Sequence, residues 1–359
     1  MVARREFLKS GALFCGCALA AGMSSAGTQP TRRAPTIGGK KPLTVDMHGH
    51  CFVRDDWPLI QDRPEAQDLL RIMNAEYFPR LAGVDARIEE MDRQGIDVQA
   101  VSLYVGQYHY WAERDLAEKL VRIQNEKLAE LCAMHPTRLV ALGAVALHFP
   151  DLAAEQMAHA VEEYGFPGFM ITGSVNGDEI SAPRFDAFWH RVEELDVLVF
   201  VHPRGFVEGA TRFEGHGWLG NTVGNPLETT VALSHMIFDG FLDRFPDAKI
   251  CAAHGGGYLP TYIGRSDNCY GVDPRCQHMK RKPSEYLKQL YFDTLVYSPE
   301  VLRHLIDSVG PERIVIGTDY PFPVASRDPL GDVLSVEGLD DRAMESILGT
   351  TAATLLKIG

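Results

Sequence analysis

PRFDAFWHRVEELDVLVFVHP, residues 183–203, holds in miniature the pattern that decides the fold. Its first part, 183–195, reads as an amphipathic helix, with apolar residues returning every three or four positions. VLVFV at 197–201 is apolar without alternation, as in a strand buried on both faces. The run then stops at a polar pair, His202-Pro203.

The same unit recurs from Pro42 onward. Further strand candidates are 43–47, 98–103, 139–147, 168–171, 249–253, 289–293 and 313–317. Helical candidates fall at 84–94, 111–134, 151–164, 228–244, 284–288, 299–308 and 340–356. Asp151 and Ser298-Pro299-Glu300 supply plausible helix starts. Eight buried strands alternating with helices over about 300 residues predict an α/β fold, a closed (β/α)8 TIM barrel. An open doubly wound sheet is the rival. No GxGxxG or GxxxxGK[ST] follows any strand, so its nucleotide-binding forms lack their usual support.

Two stretches break the alternation, 52–83 after strand one and 204–227 after strand five. Both leave from C-terminal strand ends, where barrels build their sites, and read as pocket walls or subunit contacts.

The 359 residues carry 48 acidic and 35 basic side chains, a formal charge of −13, with 45% hydrophobic residues. That apolar content excludes disorder for most of the chain, and an acidic chain without a basic stripe argues against nucleic acid. MVARREFLK followed by SGALFCGCALAAG and Ser24-Ser25-Ala26 has the order of an export signal. Its Arg-Arg-x-Phe-Leu-Lys run resembles the twin-arginine type, so residues 1–26 are expected to be an address for the periplasm or secretion. Without Arg4, Arg5, Lys9 and Glu6 the charge becomes −15. Residues 27–41 read as a flexible leader and 42–359 as one barrel domain. The cysteines left, Cys51, Cys132, Cys251, Cys269 and Cys276, form no disulfide scaffold, although Cys269 and Cys276 are a candidate pair.

Chemistry concentrates at the strand ends. His48 and His50 are two apart, so on an extended chain they point the same way and can share one metal ion. His202 ends strand five and Asp319 follows strand eight, and they would add a nitrogen and a carboxylate oxygen. A His3Asp set with one position open suits Zn2+, with Mn2+, Fe2+ and Co2+ not excluded. The bland alternative is a ring of satisfied polar groups capping the barrel. His254, before Gly255-Gly256-Gly257, is read as an acid–base group beside the metal, with ligation or packing as its other roles. Its glycines would let backbone approach a ligand closely. Asp319 is a second candidate for proton exchange. His109, His135, His148, His159, His190, His278 and His304 are expected at the surface or on helix faces, and His216 is a candidate pocket residue.

DMHGH (46–50), FVHP (200–203), AHGGGYLPTYIGR (253–265) and GTDYPFP (317–323) together resemble the metal-dependent decarboxylase branch of the amidohydrolase superfamily. The likeness extends over about residues 43–358. It implies a distorted barrel, usually oligomeric, with one divalent ion, generally Zn2+, on His48, His50, His202 and Asp319. It gives His254 acid–base work and sends Arg265 to a substrate carboxylate in the neighbouring subunit of a homodimer. The bottom-up reading of Arg265 alone is a surface arginine. The family's substrate-binding arginine after strand one has no secure counterpart in 66–82, where Arg71 and Arg80 stand. Arg204 follows the His-Pro, either as a replacement charge for the substrate or as the partner of a surface acid.

The implied activity is non-oxidative decarboxylation of a small unsaturated or aromatic carboxylic acid. A metal-dependent hydrolase of a lactone, amide or ester uses the same residues and is the alternative. A non-enzymatic metal-binding barrel is the third.

Overall fold

The computed structural model describes residues 33–215, 217–276 and 278–359. The expected export signal (1–26), the start of the expected leader and His216 lie outside the described residues. From Arg33 the chain lies against the barrel: Arg33 N–H donates to Asp92 O and Ile37 is buried.

Eight strands form one sheet: β1 (Val45–Cys51), β2 (Val98–Leu103), β3 (Leu139–Gly143), β4 (Gly168–Thr172), β5 (Leu198–His202), β6 (Lys249–Ala252), β7 (Tyr291–Asp293) and β8 (Ile314–Val315). Neighbours pair in chain order and all are parallel. Bridges Asp46–Ile316 and Gly49–Tyr320 bring β8 back to β1, with Met47 N–H to Ile316 O and His50 N–H to Tyr320 O both at 2.8 Å. The sheet is thus the expected barrel, and helices cover its outer face.

Some elements are shorter than their patterns. The run 139–147 leaves the sheet after Gly143, because the Asn125 side chain takes both the N–H (2.8 Å) and C=O (3.0 Å) of Ala144. Ser298 caps its helix as expected, accepting from Val301 N–H. Asp151 does not cap: the helix starts at Pro150, and Asp151 sits in its first turn.

The short helix Pro329–Leu334 escapes the periodic reading, and the longest helix to do so is Leu259–Val272 (LPTYIGRSDNCYGV). Gly264, Asn268 and Gly271 give it low intrinsic helicity, and only Leu259 and Pro260 in it are buried. Its place is set by the chain leaving β6. The stretch 52–83 folds as short helical pieces around its own apolar cluster of Phe52, Ile60, Leu69, Phe78 and Leu81. In 204–227, Val207 and Trp218 are exposed.

The three glycines after His254 serve packing rather than ligand access. A Cβ on Gly255 would stand 2.3 Å from Val296 Cγ1, one on Gly256 2.7 Å from the Phe292 ring, and one on Gly257 2.1 Å from Pro226 O. All three have positive φ. Gly257→Ala is therefore expected to cost roughly 2–4 kcal/mol by strain and overpacking. Gly264→Ala, which meets nothing within 4 Å, should instead add up to about 1 kcal/mol. Denaturant unfolding of the two variants beside the parent checks both.

Candidate metal centre

β1 does not run straight into its motif. Asp46 pairs with Gln99 and Gly49 with Val101, so one extra residue bulges out between them. Bulges re-aim side chains. Here His48 Nε2 and His50 Nε2 end 3.0 Å apart, and both residues are fully buried.

The far side of each ring is occupied. His48 Nδ1 lies 2.7 Å from Asp293 Oδ2, and His50 Nδ1 lies 3.2 Å from Leu103 O. A carbonyl can only accept, and a carboxylate fixes its imidazole the same way, so both Nδ1 atoms carry the proton. The two Nε2 lone pairs then face one another. Asp319 Oδ1 joins them at 3.3 Å from His50 and 3.5 Å from His48, without a directed hydrogen bond. His202 is buried nearby, its ring centre 4.8 Å from that of His50, and neither of its nitrogens has a hydrogen-bond partner.

Acceptors gathered like this call for a positive charge, either a proton or a metal ion. Donors around one small divalent ion at about 2.0–2.2 Å stand roughly 3.0–3.5 Å apart. The observed spacings match, and the orphaned His202 and Asp319 atoms are what an ion would satisfy. One ligand atom each from His48, His202, His254 and Asp319 also lie within 4.8 Å of one another. The residues present fit a divalent ion.

Electrostatics agree. Burial pushes His202 well below the usual imidazole range, and the charges of His50, His48 and His254 add to it. Burial also lowers His50, outweighing its contact with Asp319. On His48 burial acts against charge, but the Asp293 hydrogen bond and three nearby carboxylates outweigh it and raise the ring. Burial would raise Asp319, yet contacts with His254 and His50 and the charge of His48 hold it well below the carboxylate range.

His254 stands at the rim. Its side chain is 11% exposed, whereas His48 and His50 are closed off, and its Nε2 lies 3.9 Å from Asp319 Oδ2. Both His254 and Asp319 have positive φ, a strained setting for a residue with a Cβ. Beside His50, the Phe322 ring lies tilted at 49° with its centre 5.3 Å away, and is flanked by Tyr77 and Tyr104. Tyr104 is pushed up to about 12, chiefly by burial, while Arg71 and Arg204 pull the other way. Arg204 is exposed and has no ion pair among the described residues. Arg265 is exposed on Leu259–Val272, also without a hydrogen bond or ion pair there. Arg80 is tied to Pro321 O at 3.1 Å.

Two carboxylates that pattern reading left without a role brace the centre. Besides holding His48, Asp293 accepts from Gly255 N–H (2.8 Å) and Leu295 N–H (3.1 Å). Asp46 accepts from Thr318 Oγ1 and Gln99 Nε2, both at 2.6 Å, and from His48 N–H at 2.9 Å. Their position at strand ends was the available signal. His109, expected at the surface, is instead buried, its Nε2 3.5 Å from Asp56.

Asp293→Asn keeps the shape but removes the charge that orients His48. It should weaken metal affinity by about 10- to 100-fold with the fold retained. Chelator competition against the parent, with circular dichroism as the control, reads this.

A family model described as Amidohydrolase matches residues 45–358. The chain is 29% identical to 2-amino-3-carboxymuconate-6-semialdehyde decarboxylase of Dictyostelium discoideum, over 88% of this chain and 92% of that one. It is 31% identical to gamma-resorcylate decarboxylase of Rhodococcus jostii, covering 76% and 87%. Among solved structures, a dihydroxybenzoic acid decarboxylase from Polaromonas sp. JS666, with bound manganese and the inhibitor 2-nitroresorcinol, superposes with a TM-score of 0.76 at 25% identity. That match covers 88% of this chain and 97% of that chain. With its barrel closed around this cluster and the match running nearly end to end, the chain belongs to the amidohydrolase family.

Proposed function

We infer that this protein is a metal-dependent non-oxidative decarboxylase of a small aromatic or unsaturated carboxylic acid. The observation that carries the reading is the inward cluster of imidazole nitrogens and a carboxylate oxygen on His48, His50, His202 and Asp319, with His254 at its rim. Relatives of similar sequence across most of the chain act as decarboxylases, which supports the same reaction class here.

His48, His50, His202 and Asp319 would hold one divalent ion. Nitrogen donors with one carboxylate favour Zn2+, and manganese in the Polaromonas relative makes Mn2+ the comparison to measure. When bound, the ion supplies Lewis acidity, orienting and neutralising substrate oxygen anions. The chain's own groups do the rest. Phe322, Tyr104 and Tyr77, packed edge-on and tilted, offer an aromatic lining for a ring beside His50. Loss of CO2 leaves the bonding pair on the ring carbon, and that carbon needs one proton. His254, the member of the cluster nearest solvent, takes a proton from water and passes it on, directly or through Asp319 at 3.9 Å.

A positive charge for the substrate carboxylate completes the site. Arg204 and Arg71, whose charges act on Tyr104, are proposed for it, and Arg265, without a hydrogen bond or ion pair among the described residues, reaches the neighbouring site of a homodimer. Residues 1–26 are proposed as a twin-arginine signal, which places the enzyme in the periplasm or outside the cell. Replacing Arg4 and Arg5 by Lys should leave the protein in the cytoplasmic fraction.

The deciding experiment offers metal-loaded protein hydroxybenzoates, carboxymuconate-type acids and lactones in H2(18)O, recording CO2 and product mass. CO2 release with no label from water in the organic product is expected, and a labelled organic product without CO2 would overturn the reading in favour of hydrolysis. His254→Ala should keep its metal and lose about 10²- to 10⁴-fold in kcat, whereas His202→Ala should lose metal and activity together. Mixing inactive Arg265→Ala and His254→Ala proteins should restore part of the activity, because some sites then combine an intact His254 with an intact Arg265 from the other chain.

A further inference from the structure

We propose that Cys269 and Cys276 are a modification site: in the native fold they close into a disulfide that pins the end of the Leu259–Val272 helix. The two thiols and the Asp273 carboxylate lie within 4.8 Å of one another. Cys269 is in the last turns of the helix, and Cys276 ends the short turn Pro274–Cys276 that follows. The backbone between them is already folded back: Asp273 N–H donates to Cys269 O at 2.9 Å, and Cys276 N–H to Asp273 O at 3.0 Å. Approach of the sulfurs therefore needs side-chain rotation rather than a new path for the chain.

The same trio is a formal metal-binding set, but its carboxylate is committed. Arg275 donates its backbone N–H to Asp273 Oδ1 at 2.9 Å, and its guanidinium donates to both oxygens, as close as 2.6 Å. Two thiols are left, which is the requirement of a disulfide and too few donors for a structural metal site. All five described cysteines, Cys269 and Cys276 included, are free thiols in this structure, and Cys51, Cys132 and Cys251 belong to no such group.

Exposure orders the chemistry. Cys269 is half-buried and Cys276 buried, so Cys269 meets the oxidant first. Its thiolate attacks a disulfide-bearing oxidant such as oxidised glutathione, forming a mixed disulfide and releasing one glutathione thiol. Cys276 then loses its proton and attacks the Cys269 sulfur, releasing the second glutathione thiol. The protein gives up two protons and two electrons, and the glutathione disulfide is reduced by the same two electrons. A protein exported already folded would meet oxidant with these sulfurs in place, although the geometry does not depend on export.

The location gives the bridge a consequence. Arg265 lies one turn before Cys269 on the same helix face, in a helix weakened by Gly264 and Gly271. Tying its last turn to the next one restrains the segment that presents Arg265.

The test treats the purified full-length chain with oxidised glutathione, then alkylates it under denaturing conditions for intact-mass and peptide analysis. Expected are a loss of about 2 Da, two fewer alkylated thiols, and a peptide pair linked through Cys269 and Cys276. Reduction should lower Tm by about 2 °C or more, and Cys269→Ser and Cys276→Ser should each abolish that difference. Both cysteines remaining open to alkylation, or joined to other cysteines instead, would overturn the proposal. So would a metal ion held by the pair, released by a mercurial from the parent and absent from Cys269→Ser.

Discussion

Three lone-pair bearers, His48 Nε2, His50 Nε2 and Asp319 Oδ1, meet within 3.0–3.5 Å at the closed-off mouth of the barrel. Unpaired, such a set would be costly, because each donor is out of water and faces its own kind. A cation turns that cost into a binding site. Other features of this end of the barrel follow from the need to hold the set in place. The bulge in β1 aims both histidines inward, and Asp293 and Leu103 hold the protons on the outer side of the rings.

Closure of the barrel and construction of the centre are the same event. Asp46 accepts from Thr318 on the far side of the seam, and Asp319 N–H donates to His48 O at 2.8 Å. The ladder that joins the last strand to the first thus carries a ligand from each. Arg87 extends the brace outward: it is buried, bonds to Gln99 Oε1 and His50 O, and lies over the Tyr320 ring. A buried guanidinium held by carbonyls and a ring, with no carboxylate in contact, keeps its charge beside the seam.

The rim differs from the floor. The His254 side chain is 11% exposed while His48 and His50 beneath it are sealed, an arrangement that suits the proposed proton supply from the rim. Catalysis in a dry site gains most from fixed dipoles and charges, and a single wet entry limits leakage. Positive charge for an anionic substrate is sparse in an acidic chain. Arg71 and Arg204, whose charges act on Tyr104, are the cations proposed for the site from within the chain, and Arg265 is exposed.

Much of this was legible from pattern alone. Apolar runs ending in HGH, HP, HGGG and TDYP are read correctly because a barrel strand is buried throughout and polar only where it emerges. Periodicity failed where local propensity and final structure disagree. The Leu259–Val272 helix, with two interior glycines, is specified by what precedes it rather than by its own residues. The glycines after His254 looked like room for a ligand and proved to be room for Val296, Phe292 and Pro226. Sequence by itself determined the strand count, their order and the residue types at each C-terminal end, since those depend on local chain chemistry. Only the tertiary structure decided that Asp293 orients His48 and that Asp46 bridges the seam, and it brought the candidate pair Cys269 and Cys276 within 4.8 Å. Those pairings join separate segments or depend on how the chain folds back, and distance in space is not written in spacing along the chain.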